Sequence, residues 1–177
     1  VTGNSMGWYT ALAAGGVLSS ENGFRLVNTM GKLMHENLLG GQIIYPFVDT
    51  DWCAIPGKKQ VILEEVDRIN TADGQFLAVS IDLGGMLVVA GDEAGLAAFE
   101  KAVPPTQERF PMRLGNHAAF HTNLLAPIAE MGRQALASDM FGQPKNPLVD
   151  GRGNIWRPGA TDTDALWDYT LGHQVIK

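Results

Sequence analysis

The chain contains a single cysteine, Cys53, in 177 residues. An internal disulfide is therefore excluded, and without Cys or His clusters at ligand spacing there is no case for a structural zinc or an iron–sulfur centre. Metal-free chemistry is the expectation. No stretch reaches the roughly 20 uncharged apolar residues that cross a bilayer, and no charged, apolar, small-residue leader opens the chain. The reading is accordingly no membrane, no export and a cytoplasmic location. Runs of Lys and Arg are missing too, and the formal net charge is −6. Phosphate backbones are bound by clustered positive charge, so nucleic acid is not the expected main partner. Repeats and low-complexity tracts are likewise absent. What the chain does have is 45% hydrophobic residues, enough to bury a real core in one domain or two small ones.

Val1-Thr2-Gly3 reads as the end of a strand that runs directly into a turn. From Ser5 to Gly16, Tyr9, Leu12 and Ala13 recur at helical spacing before Gly15-Gly16 stops the helix. Ser19 and Ser20 offer N-caps to a second helix running to about Asn37, with Phe24, Val27, Met30 and Met34 on one face. Then the pattern changes. Ile43–Val48 reads as a strand, and Lys58–Asn70 as an amphipathic helix with Ile62, Val66 and Ile69 inward and Glu64, Glu65, Asp67 and Arg68 outward. Phe76–Ile81 and Met86–Ala90 read as strands joined through Gly84-Gly85, Asp92 caps a helix to about Lys101, and Arg109–Leu114 reads as a fourth strand. The order β-α-β-β-α-β is that of a ferredoxin-like unit. Further on, Leu124–Ala137 is predicted helical, Pro144–Trp156 a strand with turns at both ends, and Asp162–Tyr169 a last helix capped by Thr161 or Asp162.

Gly3-Asn4-Ser5-Met6-Gly7 is a G-x-S-x-G pattern set between a strand end and a helix start. In that setting the glycines allow a sharp bend that lifts the serine hydroxyl out of the turn. The helix N-terminus supplies N–H donors and a dipole suited to an oxyanion, with the Met6 N–H as the expected donor. A free hydroxyl is a poor nucleophile at neutral pH and needs a base. Of the four histidines, His35 and His173 read as solvated or capping residues. His117 reads as structural, and His121 remains as the candidate in a loop after the fourth strand.

Gly3 to Leu12, GNSMGWYTAL, resembles the G-H-S-L-G-E-Y-[ST]-A-L signature of malonyl-CoA:acyl-carrier-protein transacylases and polyketide-synthase acyltransferase domains. Ala119-Phe120-His121-Thr122 with Leu124-Leu125 resembles the family's A-F-H-[ST]-x-L-M segment, and Gly85–Gly91 its G-Q-x-V-[IV]-[AS]-G strand. The three motifs come in the family's order and span nearly the whole chain. The resemblance implies an α/β fold, a partial α/β-hydrolase-like large subdomain (residues 1–41 and 115–177) with an inserted ferredoxin-like small subdomain (42–114). It also implies ping-pong transfer. Ser5 would take an acyl group from a coenzyme A thioester and pass it to the phosphopantetheine thiol of an acyl carrier protein, His121 would move the protons, and no cofactor would be permanently bound. The family's histidine is oriented by a backbone carbonyl, which this alignment places near Tyr169. Asn4, Trp8, Met30 and Phe120 fall at substrate-pocket positions.

Departures from the family bear on the substrate. Its arginine, which clamps the malonyl carboxylate, sits in an R-G-K segment, and here that stretch is Met30-Gly31-Lys32. Methionine cannot pair with a carboxylate, so the expectation is an uncharged acyl group, or else another cation in the arginine's place. Asn4 and Trp8 replace the usual histidine and glutamate beside the serine. The family's segments before the serine strand and after the position of Lys177 have no counterpart. Those before the serine include a second oxyanion donor, the loss of which typically costs about 2.7–4 kcal/mol. The expectation is a fragment, nearly inactive alone, with the remainder either in another chain or missing from the sequence. Competing readings are a serine esterase or thioesterase, a patatin-like lipase pairing Ser5 with Asp150 of Asp150-Gly151, and a non-catalytic module that binds a carrier protein.

Overall fold

The computed structural model describes residues 1–176. In chain order the elements are α1 (Met6–Ala14), α2 (Ser20–Glu36), β1 (Gly41–Pro46), α3 (Lys58–Asn70), β2 (Leu77–Asp82), β3 (Met86–Gly91), α4 (Glu93–Ala102), β4 (Met112–Arg113), α5 (Ala126–Ala135), β5 (Leu148–Val149), β6 (Ile155–Trp156), α6 (Thr163–Asp168) and α7 (Gln174–Ile176). A π-helical turn, Tyr169–His173, joins α6 to α7. The chain divides into two compact units: residues 1–37 with 126–176, and residues 38–125.

The contiguous unit is built on a four-stranded antiparallel sheet of order β2-β3-β1-β4. Strand alternation sorts its side chains. Ile43 and Tyr45 of β1 and Leu87 and Val89 of β3 join Ile62, Val66 and Ile69 of α3 and Leu96 and Phe99 of α4 in one core. Burying side chains of this size contributes about 1.5–3 kcal/mol each. The helical faces of α3 are those its sequence period predicts. Asp92 caps α4 by accepting the Gly95 N–H at 2.7 Å. Gln42, on the opposite face of β1 from Ile43, is buried although polar.

The fourth strand is shorter than the expected Arg109–Leu114, because residues 106–110 close their own bridged turn and Pro111 has no N–H to give a ladder. The register of β2 against β3 slips between Val79 and Ile81, leaving Ser80 at a bulge.

In the discontinuous unit, α2 is capped by Ser19, whose Oγ accepts the Asn22 N–H at 3.1 Å. Its inward face is Gly23, Leu26 and Met30, while Phe24 and Val27 are exposed, contrary to the expected stripe. Gly23 decides this, because a Cβ there would already lie 3.2 Å from that of Ala13 in α1. Met30 is fully buried, with its sulfur 2.7 Å from where a side chain on Gly132 of α5 would begin. The predicted strand at residues 144–156 is instead a small hairpin of β5 and β6, turned at Asp150. The strand expected at Val1–Gly3 is reduced to a parallel bridge between Thr2 and Val149.

Candidate active site

Ser5 stands at the N-cap of α1 with φ 54° and ψ −123°, a conformation that L-residues rarely adopt. The strain is held in place from several sides. Its carbonyl accepts the Trp8 N–H at 2.9 Å and the side-chain amide of Gln174 at 3.0 Å, and the Gly7 N–H closes on Asn4 O at 2.8 Å. A methyl group at Gly3 would lie 2.8 Å from the Trp8 nitrogen and closer still to the Gly7 carbonyl, so only glycine fits there. Gly7 differs, since nothing lies within 4 Å of the Cβ it lacks. The bend therefore depends on the first glycine of the motif and not on the second. Met6 is the first residue of α1, so its N–H is among the donors that no helical carbonyl reaches, and its side chain is exposed. Asn4 is exposed as well.

Two residues expected at a substrate pocket belong to the core. Trp8 is 1% exposed, gives its indole N–H to Thr170 Oγ1 at 3.0 Å and meets the Tyr169 ring edge-on, because the inward face of α1 carries it away from the bend. Met30 is the second, enclosed as described by the packing of α2 on α5.

Tyr169 anchors the same unit. Its hydroxyl accepts the Gly151 N–H at 3.1 Å, the Arg152 guanidinium lies 4.1 Å over its ring, and His173 stacks on it at 5.8 Å. Burial raises its phenol pKa, aided by the nearby Asp150 carboxylate and opposed by the Gly151 N–H. The Tyr169 carbonyl accepts the Gln174 N–H across the π turn. That turn swings Gln174 round to the Ser5 carbonyl. Nothing local in the sequence marks Gln174.

Asp150 is buried and fully engaged. Its carboxylate accepts the N–H groups of Arg152 and Asn154, the Arg152 guanidinium at 2.7 Å and the Trp156 indole at 3.1 Å. Burial pushes its pKa up, but these donors outweigh it and the net shift is downward. A carboxyl so held is a turn organiser and a poor proton acceptor for Ser5.

His121 belongs to the other unit, which extends to residue 125, so the loop 115–125 goes with the sheet and not with residues 126–176. His121 too is strained, at φ 57°. The loop around it is tied down at each step. The Ala119 N–H reaches Leu39 O at 2.7 Å, the Phe120 N–H reaches Ala118 O at 2.8 Å, and the buried Thr122 hydroxyl donates to Ala119 O at 2.7 Å. The Phe120 carbonyl, in the peptide that leads into His121, accepts the Ser80 hydroxyl at 2.8 Å and the Gln42 amide at 3.4 Å. His117 lies with Nδ1 2.8 Å from Gln42 Oε1 and its ring edge-on to Phe120, which is half-buried. Among the described residues no group of three or more His, Cys, Asp or Glu side chains could hold a metal ion.

The chain resembles malonyl CoA-acyl carrier protein transacylases. It is 26% identical over 169 residues to that of Salmonella typhimurium, an alignment covering 95% of this chain and 51% of that protein. To that of Bacillus subtilis it is 25% identical over 135 residues, 76% of this chain and 40% of the relative. The chain thus spans about half the length of the curated relatives it matches. No family model matches it. Among solved structures, a malonyl-CoA:acyl carrier protein transacylase from Xanthomonas oryzae superposes with a TM-score of 0.75 at 24% identity, over 98% of this chain and 52% of that one. An acyl-carrier-protein S-malonyltransferase from Burkholderia pseudomallei gives 0.76 at 23%, over 99% and 53%. A type II polyketide malonyl-transacylase solved in complex with its acyl-carrier protein gives 0.74 at 22%, over 98% and 53%. The mixed helix-and-sheet α/β fold is therefore shared with transacylase structures.

Proposed function

We propose that this chain carries the nucleophile and the base of an acyl-CoA:acyl-carrier-protein S-acyltransferase. The observation that carries the reading is the backbone of Ser5, a non-glycine residue at φ 54° and ψ −123° directly before α1, behind a glycine with no room for a side chain. Strain of this kind costs of order 1–3 kcal/mol and persists where it presents a group for chemistry. Ser5 attacks the thioester carbonyl as His121 accepts its proton, and the oxyanion is stabilised at the N-terminus of α1 with the Met6 N–H as donor. His121 then protonates the departing coenzyme A thiolate. In the second half-reaction the carrier protein's phosphopantetheine thiol loses its proton to His121, attacks the acyl-serine ester and releases Ser5.

In this reading residues 1–41, with those from 115 onward, belong to a partial α/β-hydrolase-like catalytic subdomain and residues 42–114 to an inserted ferredoxin-like subdomain, with no permanently bound cofactor. The partner is an acyl carrier protein, as for the polyketide transacylase solved with its own carrier protein. The acyl group is uncharged, because Met30 stands where the family pairs an arginine with malonate, and a fully buried thioether offers a carboxylate nothing. Asn4 and Phe120 border the acyl group, whereas Trp8, Met30 and Tyr169 support the site through packing.

Intact-mass spectrometry of the full-length protein after exposure to acetyl-, longer acyl- and malonyl-CoA tests this. The expected result is an adduct on Ser5, lost in Ser5→Ala and His121→Ala, forming fastest from uncharged thioesters. Faster malonyl loading overturns the acyl preference. No adduct from any thioester favours a non-catalytic binding module, and rapid hydrolysis without transfer to a carrier protein favours an esterase.

A further inference from the structure

Directionality can be assigned to the polar groups beneath the His121 loop, starting from one atom that has no choice. The Phe120 carbonyl can only accept, so the Ser80 hydroxyl, 2.8 Å away, must spend its single proton on it. The Ser80 oxygen is then an acceptor toward Gln42, 2.9 Å away, and Gln42 must present its NH2 group there. The second Gln42 contact agrees, since the same nitrogen lies 3.4 Å from the Phe120 carbonyl. Gln42 Oε1 is thereby turned to His117 Nδ1 at 2.8 Å, and because an amide oxygen cannot donate, Nδ1 must carry a proton.

We infer that His117, Gln42 and Ser80 form a one-way hydrogen-bond relay, ending on the Phe120 carbonyl, that locks the Phe120–His121 peptide and so orients the His121 imidazole. All four donor–acceptor steps lie within the sheet unit. Three features make the relay a built device. Gln42 is a buried polar residue on β1 with no reason to be there for packing alone. Ser80 stands at the slip between β2 and β3, where a bulge redirects a side chain. The residue it serves holds φ 57°, a backbone conformation that L-residues rarely adopt. Ser80, Gln42 and His117 are positioning residues, because they act through the backbone and none is required to touch the acyl group. The inference rests on His121 being the base of the proposed transfer.

Two measurements test it. The first needs no activity: 15N NMR of histidine-labelled protein near pH 8 should show the neutral His117 ring protonated on Nδ1, whereas the Nε2–H form would overturn the direction of the relay. The second is acylation kinetics in the full-length protein. Ser80→Ala and the near-isosteric Gln42→Glu, which cannot donate to Ser80, should slow acylation of Ser5 roughly 10- to 100-fold while leaving KM for the thioester unchanged. Ser80→Thr, which keeps the hydroxyl, should recover most of the rate, and Ser80→Ala in a His121→Ala background should lose nothing further. Wild-type acylation by Ser80→Ala, a change confined to KM, or an additive loss in the double variant would each overturn the inference. If instead His121→Ala itself acylates normally, the assignment of the base has failed, and the NMR result still reports on the relay.

Discussion

The two glycines of the bend should respond in opposite ways to the same substitution. In Gly3→Ala the added methyl would lie 2.8 Å from the Trp8 nitrogen and closer to the Gly7 carbonyl, where ordinary contact begins near 3.4 Å. The obstacle is backbone, so relief requires the first turn of α1 to retreat by more than about 0.6 Å. Overpacking of this kind costs roughly 1–3 kcal/mol. A nucleophile displaced on that scale loses up to about 100-fold in rate. Gly7→Ala meets nothing within 4 Å and lies inside a helix, where exchanging glycine for alanine gains about 1 kcal/mol. For a chain of this size that raises Tm by about 2–4 °C. Thermal melts and Ser5 acylation rates on both variants decide the matter. If Gly3→Ala acylates like the wild type, or Gly7→Ala is as damaging as Gly3→Ala, the account of which glycine shapes the bend is wrong.

Three further outcomes follow from the packing. Asp150→Asn removes a buried carboxylate from four donors and should cost about 1.5–3 kcal/mol at neutral pH in denaturant melts. Because the folded pKa is depressed, that advantage of the wild type is complete above the ordinary Asp value near 4 and disappears as pH falls through the lower folded value, so the two proteins should converge in acid. Trp8→Phe should lose about 1–2 kcal/mol through the Thr170 hydrogen bond while leaving thioester KM unchanged; a raised KM would put Trp8 back in the substrate pocket. Burial raises the pKa of all three tyrosines, Tyr9 most strongly. Stability is then fully present below the ordinary tyrosine value near 10 and declines as pH rises above it, so tyrosinate absorbance should appear together with unfolding; separate titration near pH 10 would contradict the burial.

Sequence alone serves best where one local period decides the structure. The face of α3 follows from Ile62, Val66 and Ile69, and the start of α4 from Asp92, because each depends on neighbours a few residues away. The sharp turn before α1 is equally legible in Gly3-Asn4-Ser5. Longer-range effects are where the reading departs from the structure. Two apolar stripes can be drawn on α2, and the choice between them is made by the close approach of Gly23 to Ala13, which periodicity does not encode. The fourth strand shrinks because residues 106–110 bond to one another first. At the candidate site, Trp8 reads as a pocket residue from its place beside the serine, yet helical geometry turns it into the core. Gln174 and Ser80 leave no local signature, since each matters only through atoms distant in sequence. A glutamine inside the apolar strand Gly41–Pro46 is the one visible irregularity.

The division of the chain also sets a timetable. Residues 38–125 form one uninterrupted stretch, whereas α1 and α2 pack in a unit whose remaining helices come after residue 125. During synthesis the sheet can close as soon as β4 leaves the ribosome, while the serine-bearing bend waits for Gln174, 61 residues beyond Arg113 at the end of β4, before its carbonyl has that partner. A nascent chain would therefore hold its histidine loop ready well before its serine turn is braced.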